Sequence, residues 1–137
     1  MIIRPLKREE LEKAAEIFME AYEDWKPEIA LAYLTKFYDF EPEKCLAAES
    51  DGRLIGAVLG YTYKKKDTFI LFIQELFVSP DTRHQGVGKE LISSLRKACS
   101  ETPRVKITPL VEAPTSVLNF YNSLGFERDQ VFSFYDE

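Results

Sequence analysis

The chain has 137 residues, 45% of them hydrophobic and 30% charged, and a net charge of −5. That length predicts one domain over residues 1–137 with one core, and the acidic balance argues against a surface built to neutralise nucleic-acid phosphates while mildly suiting a cationic partner such as an amine. No apolar stretch approaches the ~20 residues of a membrane span, and Met1–Pro5 is too short and too soon interrupted for a signal peptide, so a cytoplasmic protein with no nucleic-acid or membrane partner is expected.

Ile2 to Arg4 reads as a short strand. Glu9 and Glu10 then stand where a helix start favours acidic side chains, and Leu11, Ala14, Ala15, Phe18 and Tyr22 recur at helical spacing. Pro27 opens a second helix, with Ala30, Tyr33, Leu34, Phe37 and Tyr38 on one side and Pro42 at its end. Two strands, Cys45 to Glu49 and Leu54 to Tyr63, flank Ser50-Asp51-Gly52. Asp-Gly between apolar runs is a hairpin signal. Phe69 to Val78 is a nearly unbroken apolar run, as expected of a central strand covered on both faces, and Pro80 closes it.

A helix from Gly86 to Cys99 follows, with Val87, Leu91, Ile92 and Leu95 inward. Val105 to Val111 reads as a strand that Pro109 interrupts. Pro114 opens a last helix bearing Val117, Phe120, Tyr121 and Leu124, which Gly125 ends, and Phe126 to Tyr135 is a final strand. This order predicts an α/β or α+β domain with a mixed sheet. Cys45, Cys99 and the one histidine, His84, have no metal-ligand spacing, so thiols and no metal site are expected.

The segment from Glu75 to Leu91 carries the most chemistry. A buried strand ends, a polar loop holds two glycines, and an amphipathic helix begins at once. A helix start leaves backbone N–H groups unpaired and carries partial positive charge. Gly86 and Gly88 lack Cβ atoms, and Arg83 and Lys89 add charge, so the loop suits a pyrophosphate. A Gly-x-Gly turn by itself is common between strand and helix. The loop also lacks the spacing of both standard nucleotide fingerprints.

Arg83-x-x-Gly86-x-Gly88 after Glu75-Leu76-Phe77-Val78-Ser79-Pro80 resembles the Arg/Gln-x-x-Gly-x-Gly/Ala motif of the GNAT family of N-acetyltransferases. Ile2-Arg4-Pro5 resembles that family's opening strand. Leu118 to Phe126 resembles its late helix with a Tyr-x-x-x-Gly-Phe ending. The resemblance spans the chain. It implies the GNAT fold: a mixed central sheet splayed at strands 4 and 5, with helices on both faces.

It also implies acetyl-CoA as co-substrate and acetyl transfer to an amine by direct attack on the thioester. The backbones of Leu76, Phe77 and Val78 would hold the pantetheine arm. Arg83, His84, Gln85, Gly86, Val87, Gly88 and Lys89 would hold the pyrophosphate. Tyr121 matches the tyrosine that protonates the departing thiolate; from periodicity alone it is a core aromatic. Gln74 stands where the family often has a carboxylate. The neighbouring Glu75 is a substrate-binding or base residue, although strand alternation sets it on the face opposite Gln74 unless a bulge redirects it. Glu112 and an ordered water are the alternative bases.

Pro114 replaces an asparagine that often holds the pantetheine, and Pro109 replaces the glutamate of the ribosomal-protein acetyltransferases. The strings around Glu75 and Tyr121 resemble the diamine and polyamine branch. A small primary amine or polyamine is therefore the expected acceptor, with Gln74, Glu75 and Trp25 at its site. Tyr22, Tyr33 and Phe37 near them read as core fillers. A protein or peptide amine, and a non-catalytic acyl-CoA-binding module, are the alternatives. Homodimers are common in the family, but no feature of this chain speaks for one.

Overall fold

The computed structural model describes residues 1–82, 85–108, 115–127 and 135–136. Strands β1 (Ile2–Pro5), β2 (Cys45–Ser50), β3 (Arg53–Lys65), β4 (Thr68–Val78) and β5 (Arg104–Ile107) lie across one sheet in chain order. Pairing is antiparallel from β1 to β4, and β5 joins β4 in parallel. Parallel neighbours need a crossover, and helix α3 (Val87–Lys97) supplies it. The expectations for Pro109, the Pro114 helix start and most of the strand from Phe126 to Tyr135 lie outside the described residues.

The β2–β3 turn follows from its chemistry. Asp51 and Gly52 both take positive φ, at 52° and 75°, as a two-residue type I′ hairpin requires. Arg4 on β1 anchors the opposite edge. Its guanidinium donates two hydrogen bonds to the Glu10 carboxylate, at 2.8 and 2.7 Å, and one to Glu49, at 2.9 Å. The fork geometry of arginine suits such a double contact.

Helices α1 (Leu11–Ala21) and α2 (Pro27–Phe40) cover one face of the sheet. Leu11, Ala14, Ala15, Ile17 and Phe18 from α1 meet Ala30, Leu34 and Tyr38 from α2 over Cys45, Ala47, Ala57 and Leu59. The Cys45 thiol is fully buried there, and that burial pushes its pKa up to about 12. On the other face Val87, Leu91, Ile92 and Leu95 of α3 pack on Leu46, Val58, Leu71 and Ile73. Helix α4 (Thr115–Ser123) sets Phe120 and Tyr121 against this second layer.

Two features of β4 bear on the candidate site residues. First, β5 pairs with β4 only from Ile70 to Ile73, so Gln74–Val78 has no β5 partner among the described residues. The chain after Thr108 that would continue β5 lies outside the described residues, and the splay implied by the resemblance lies there with it. Second, Leu59 of β3 pairs with Glu75 while the next residue, Gly60, pairs with Ile73. Gln74 is therefore an extra residue, a β-bulge in β4.

Gly60 lies opposite that bulge, with little space for a side chain. A Cβ there would be 3.0 Å from the Phe72 carbonyl oxygen and 3.2 Å from Leu95 Cδ2. Gly60→Ala is expected to destabilise the protein by about 1–3 kcal/mol, since overpacking against backbone finds little relief. Urea unfolding would show this as a lower midpoint. An unchanged midpoint would mean that the two strands part freely at the bulge.

Candidate active site

The bulge reverses the alternation of β4. Before it, Leu71 and Ile73 face the α3 layer; after it, Leu76 and Val78 do, and Phe77 joins the α1–α2 core. Gln74 and Glu75 consequently share a face although they are adjacent. Both reach Tyr33 of α2. The Tyr33 hydroxyl donates to Glu75 Oε1 at 2.7 Å and accepts from Gln74 Nε2 at 3.0 Å. Simple alternation, which separates the two side chains, fails here because of the one inserted residue.

Glu75 is held in apolar surroundings, and its pKa rises to about 7; the Tyr33 hydrogen bond opposes the rise without cancelling it. Burial disfavours the charged form, and no cation of the described residues offsets this. A carboxyl poised near neutrality suits general-base work. Rings of Phe18, Trp25 and Phe37 wall Tyr33, with centroids 5.9, 5.0 and 5.1 Å away. Trp25, expected at the acceptor site, is half-buried in this aromatic group beside Phe18 and Tyr33.

Tyr121 is set by the end of α4. Gly125 takes φ 88°. The Phe126 N–H donates to the Tyr121 carbonyl and the Gly125 N–H to that of Asn122, each at 3.1 Å. This is a Schellman cap, which brings the residue after the glycine back onto the third helical residue from the end. The Phe126 ring accordingly lies 5.5 Å from the Tyr121 ring, at 72°. Phe120 flanks its other side at 5.0 Å. Burial pushes the Tyr121 pKa well above the phenol range, and Tyr22 and Glu75 add to that electrostatically. A neutral phenol is a proton donor at any ordinary pH.

In the glycine loop, Gln85 to Lys89 are described and Arg83 and His84 lie outside. Gly86 precedes α3 in the left-handed region, φ 77°, with open space where a Cβ would stand. The first N–H groups of α3 therefore begin beside an uncluttered backbone. Gly88 differs from the expectation that it too would clear room for phosphate. Its Cβ would lie 3.1 Å from Phe120 Cζ and 3.7 Å from Leu76 Cδ2. The missing Cβ lets α4 close on α3. Val87 is buried, and Lys89 is exposed. The alternative base, Glu112, lies outside the described residues. A surface cleft of ≈ 390 Å³ lined by Glu10, Lys13, Glu20, Arg53 and Asp81, among others, includes none of the candidate catalytic, cofactor-binding or substrate-binding residues expected from the sequence.

Sequence reasoning passed over Tyr33 as a core filler. The available signal was Gly60, since a glycine inside an apolar strand often marks a bulge. A bulge opposite Gly60 would have put Gln74 and Glu75 together.

Buried ionisation makes Glu75 testable through stability. An unfolded glutamate titrates near 4.5, whereas folded Glu75 keeps its proton up to about 7. Between these values the folded state binds more protons, so the Glu75 contribution falls as pH rises and is fully unfavourable above 7. Glu75→Gln is expected to be more stable than the parent by about 1–3 kcal/mol at pH 8, with the gap closing by pH 4. Urea titrations at both pH values would measure it. A gap that ignores pH would exclude ionisation as its source.

Comparison with known proteins places this geometry. The profile of the Acetyltransferase (GNAT) family matches residues 11–126. A curated relative, the L-2,4-diaminobutyric acid acetyltransferase of Nocardia farcinica, is 34% identical over 91 residues, covering 65% of this chain and 46% of the relative. The chain thus spans about half the length of that relative. Among solved structures, an aminoglycoside N-acetyltransferase in complex with CoA superposes with a TM-score of 0.75 at 22% identity, covering 99% of this chain and 93% of that one. The ribosomal-protein-alanine N-acetyltransferase of Brucella melitensis biovar Abortus reaches 0.77 at 17% identity, covering 100% of both chains. These two share the fold. With a family match over most of its length, a five-stranded mixed sheet and a glycine loop leading into α3, the chain belongs to the GNAT acetyltransferase family.

Proposed function

We propose that this protein transfers acetyl from acetyl-CoA to a small primary amine or polyamine by direct attack on the thioester. The observation that carries the reading is the convergence on Glu75, a carboxyl with a pKa of about 7 that electrostatically reaches Tyr121. One group can take a proton and the other can give one, as an amine attack with a thiolate departure requires. The curated relative's name, a diaminobutyric acid acetyltransferase, supports a compact amine acceptor.

In this reading the backbone of β4 at Leu76, Phe77 and Val78 pairs with the pantetheine arm as an added strand would. Arg83, His84, Gln85, Gly86, Val87, Gly88 and Lys89 form the pyrophosphate end. Gly86 contributes open backbone there, and Gly88 contributes close packing of α4. The acceptor ammonium enters beside Gln74, Trp25 and Glu75. Glu75 takes its proton, the neutral amine attacks the thioester carbonyl, and the tetrahedral intermediate collapses. Tyr121 then protonates the CoA thiolate, and the proton shed by the product amide nitrogen restores the phenol. A backbone N–H on the splayed part of β4 stabilises the oxyanion, a contribution typically worth ~10²–10³ in rate.

Release of CoA thiol from acetyl-CoA, measured against diaminobutyrate, diamines, polyamines and short peptides, tests this reading. Turnover with the small amines supports it. Turnover with peptides alone would move the acceptor to a protein amine. Tight acetyl-CoA binding without any turnover would leave a binding module. Tyr121→Phe is expected to lower kcat about 10²-fold with little change in acetyl-CoA affinity; equal turnover would remove Tyr121 from the acid role. Gly86→Glu should abolish acetyl-CoA binding, because a strained and negative side chain would fill the pyrophosphate approach. Calorimetry showing unchanged affinity would mean that the loop does not hold the cofactor.

A further inference from the structure

We propose that Tyr33 is a positioning residue for this transfer: held between Gln74 and Glu75, its hydroxyl fixes the carboxylate of Glu75 through Oε1 and turns Oε2 to the acceptor amine. The proposal rests on the reading of Glu75 as the base.

Proton arithmetic fixes the direction of the chain of hydrogen bonds. A phenol has one proton to donate. Glu75 Oε1, at 2.7 Å, can only accept when ionised, so the proton points there. Gln74 must then offer its amide N–H₂ to the hydroxyl oxygen, and Nε2 lies 3.0 Å from it. The reverse orientation of the amide would face the hydroxyl with two acceptors and leave one unsatisfied. Gln74, which cannot itself take a proton, thus orients the group that orients the base. Among the described residues Oε2 of Glu75 has no hydrogen-bond partner.

Three elements hold this arrangement. The β4 bulge sets Gln74 and Glu75 on one face. Helix α2 delivers Tyr33, whose ring is wedged by Phe18, Trp25 and Phe37. Among the described residues, the other groups acting on this cluster are phenols: Tyr22 at the end of α1 and Tyr121 on α4. Phenols are neutral through the range where Glu75 titrates, so among the described residues of this cluster Glu75 is the group whose charge changes there. A hydrogen bond donated to a carboxylate favours its charged form. Without the Tyr33 hydroxyl, Glu75 would hold its proton to higher pH and its carboxyl would turn freely.

Tyr33→Phe keeps the ring and removes the hydroxyl. The experiment follows kcat/KM against pH in the full chain, alongside the Glu75 carboxyl titration by carbon-13 NMR. Both midpoints are expected to move upward together by about one pH unit. Turnover should fall about tenfold at pH 6.5 and recover towards the parent value at pH 9, with KM for acetyl-CoA unchanged. Gln74→Met should move both midpoints the same way by less. A loss equal at every pH, or a carboxyl midpoint that stays in place, would overturn the proposal, since a merely structural tyrosine would give that result. Undiminished turnover in Glu75→Gln would instead overturn the base assignment. The catalytic meaning of Tyr33 would fall with it, even if the NMR shift persisted.

Discussion

One unpaired residue in β4 governs how this molecule is put together. With Gln74 inserted between the partners of Leu59 and Gly60, side chains beyond it change faces. Phe77 can then complete the aromatic core around Phe18, at 5.5 Å between ring centroids, while Leu76 and Val78 line the opposite layer. Without the insertion Phe77 would point at α3 and Glu75 away from Tyr33. The same residue follows directly on the last pair that β4 makes with β5. The change of side-chain parity therefore falls where the described pairing of β4 with β5 ends. It also puts the polar side chains of Gln74 and Glu75 together against Tyr33.

The aromatic layer explains why Glu75 is poised near neutrality. Phe18 is 1% exposed and contacts Tyr22, Trp25, Tyr33 and Phe77. A buried phenylalanine of this kind contributes about 3–5 kcal/mol against truncation to alanine, so the wall around Tyr33 is rigid for energetic reasons unrelated to chemistry. Rigidity of the wall fixes the phenol, and the low polarity of the same wall raises the carboxyl. Glu75 differs in this from Glu10, which the Arg4 guanidinium holds below the usual carboxylate range. One carboxylate is tied down to close an edge of the sheet, and the other is left able to exchange a proton.

Much of this was legible beforehand. Helical spacing marked Leu11, Ala14, Ala15 and Phe18 as one face, and Asp51-Gly52 announced its turn, because each signal is local. The Tyr-x-x-x-Gly-Phe ending even carried its own geometry: Gly125 at positive φ folds Phe126 back onto Tyr121. The parity of β4 was legible only as an alternative, a bulge that Gly60 hints at, since a bulge depends on what the partner strand leaves opposite and period-two reading assumes that nothing intervenes. The reason for Gly88 was not legible. A glycine next to a loop reads as room for a ligand, but its neighbour proved to be Phe120, some thirty residues along the chain. Tyr33 escaped for a related reason. Helical spacing assigns a face but is silent about what the far end of a long side chain meets.

Trp25 has a further consequence. It is the chain's one tryptophan, and its indole lies 5.0 Å from the ring of Tyr33. Light emitted by the protein on excitation of indole therefore originates from a single place, one ring away from the carboxyl whose charge changes near neutral pH. Its colour and brightness follow the local field and solvation there. The fold has thus placed an optical label against the aromatic wall around Tyr33, and every event that alters Glu75 or wets that wall is written into the emission of the native chain.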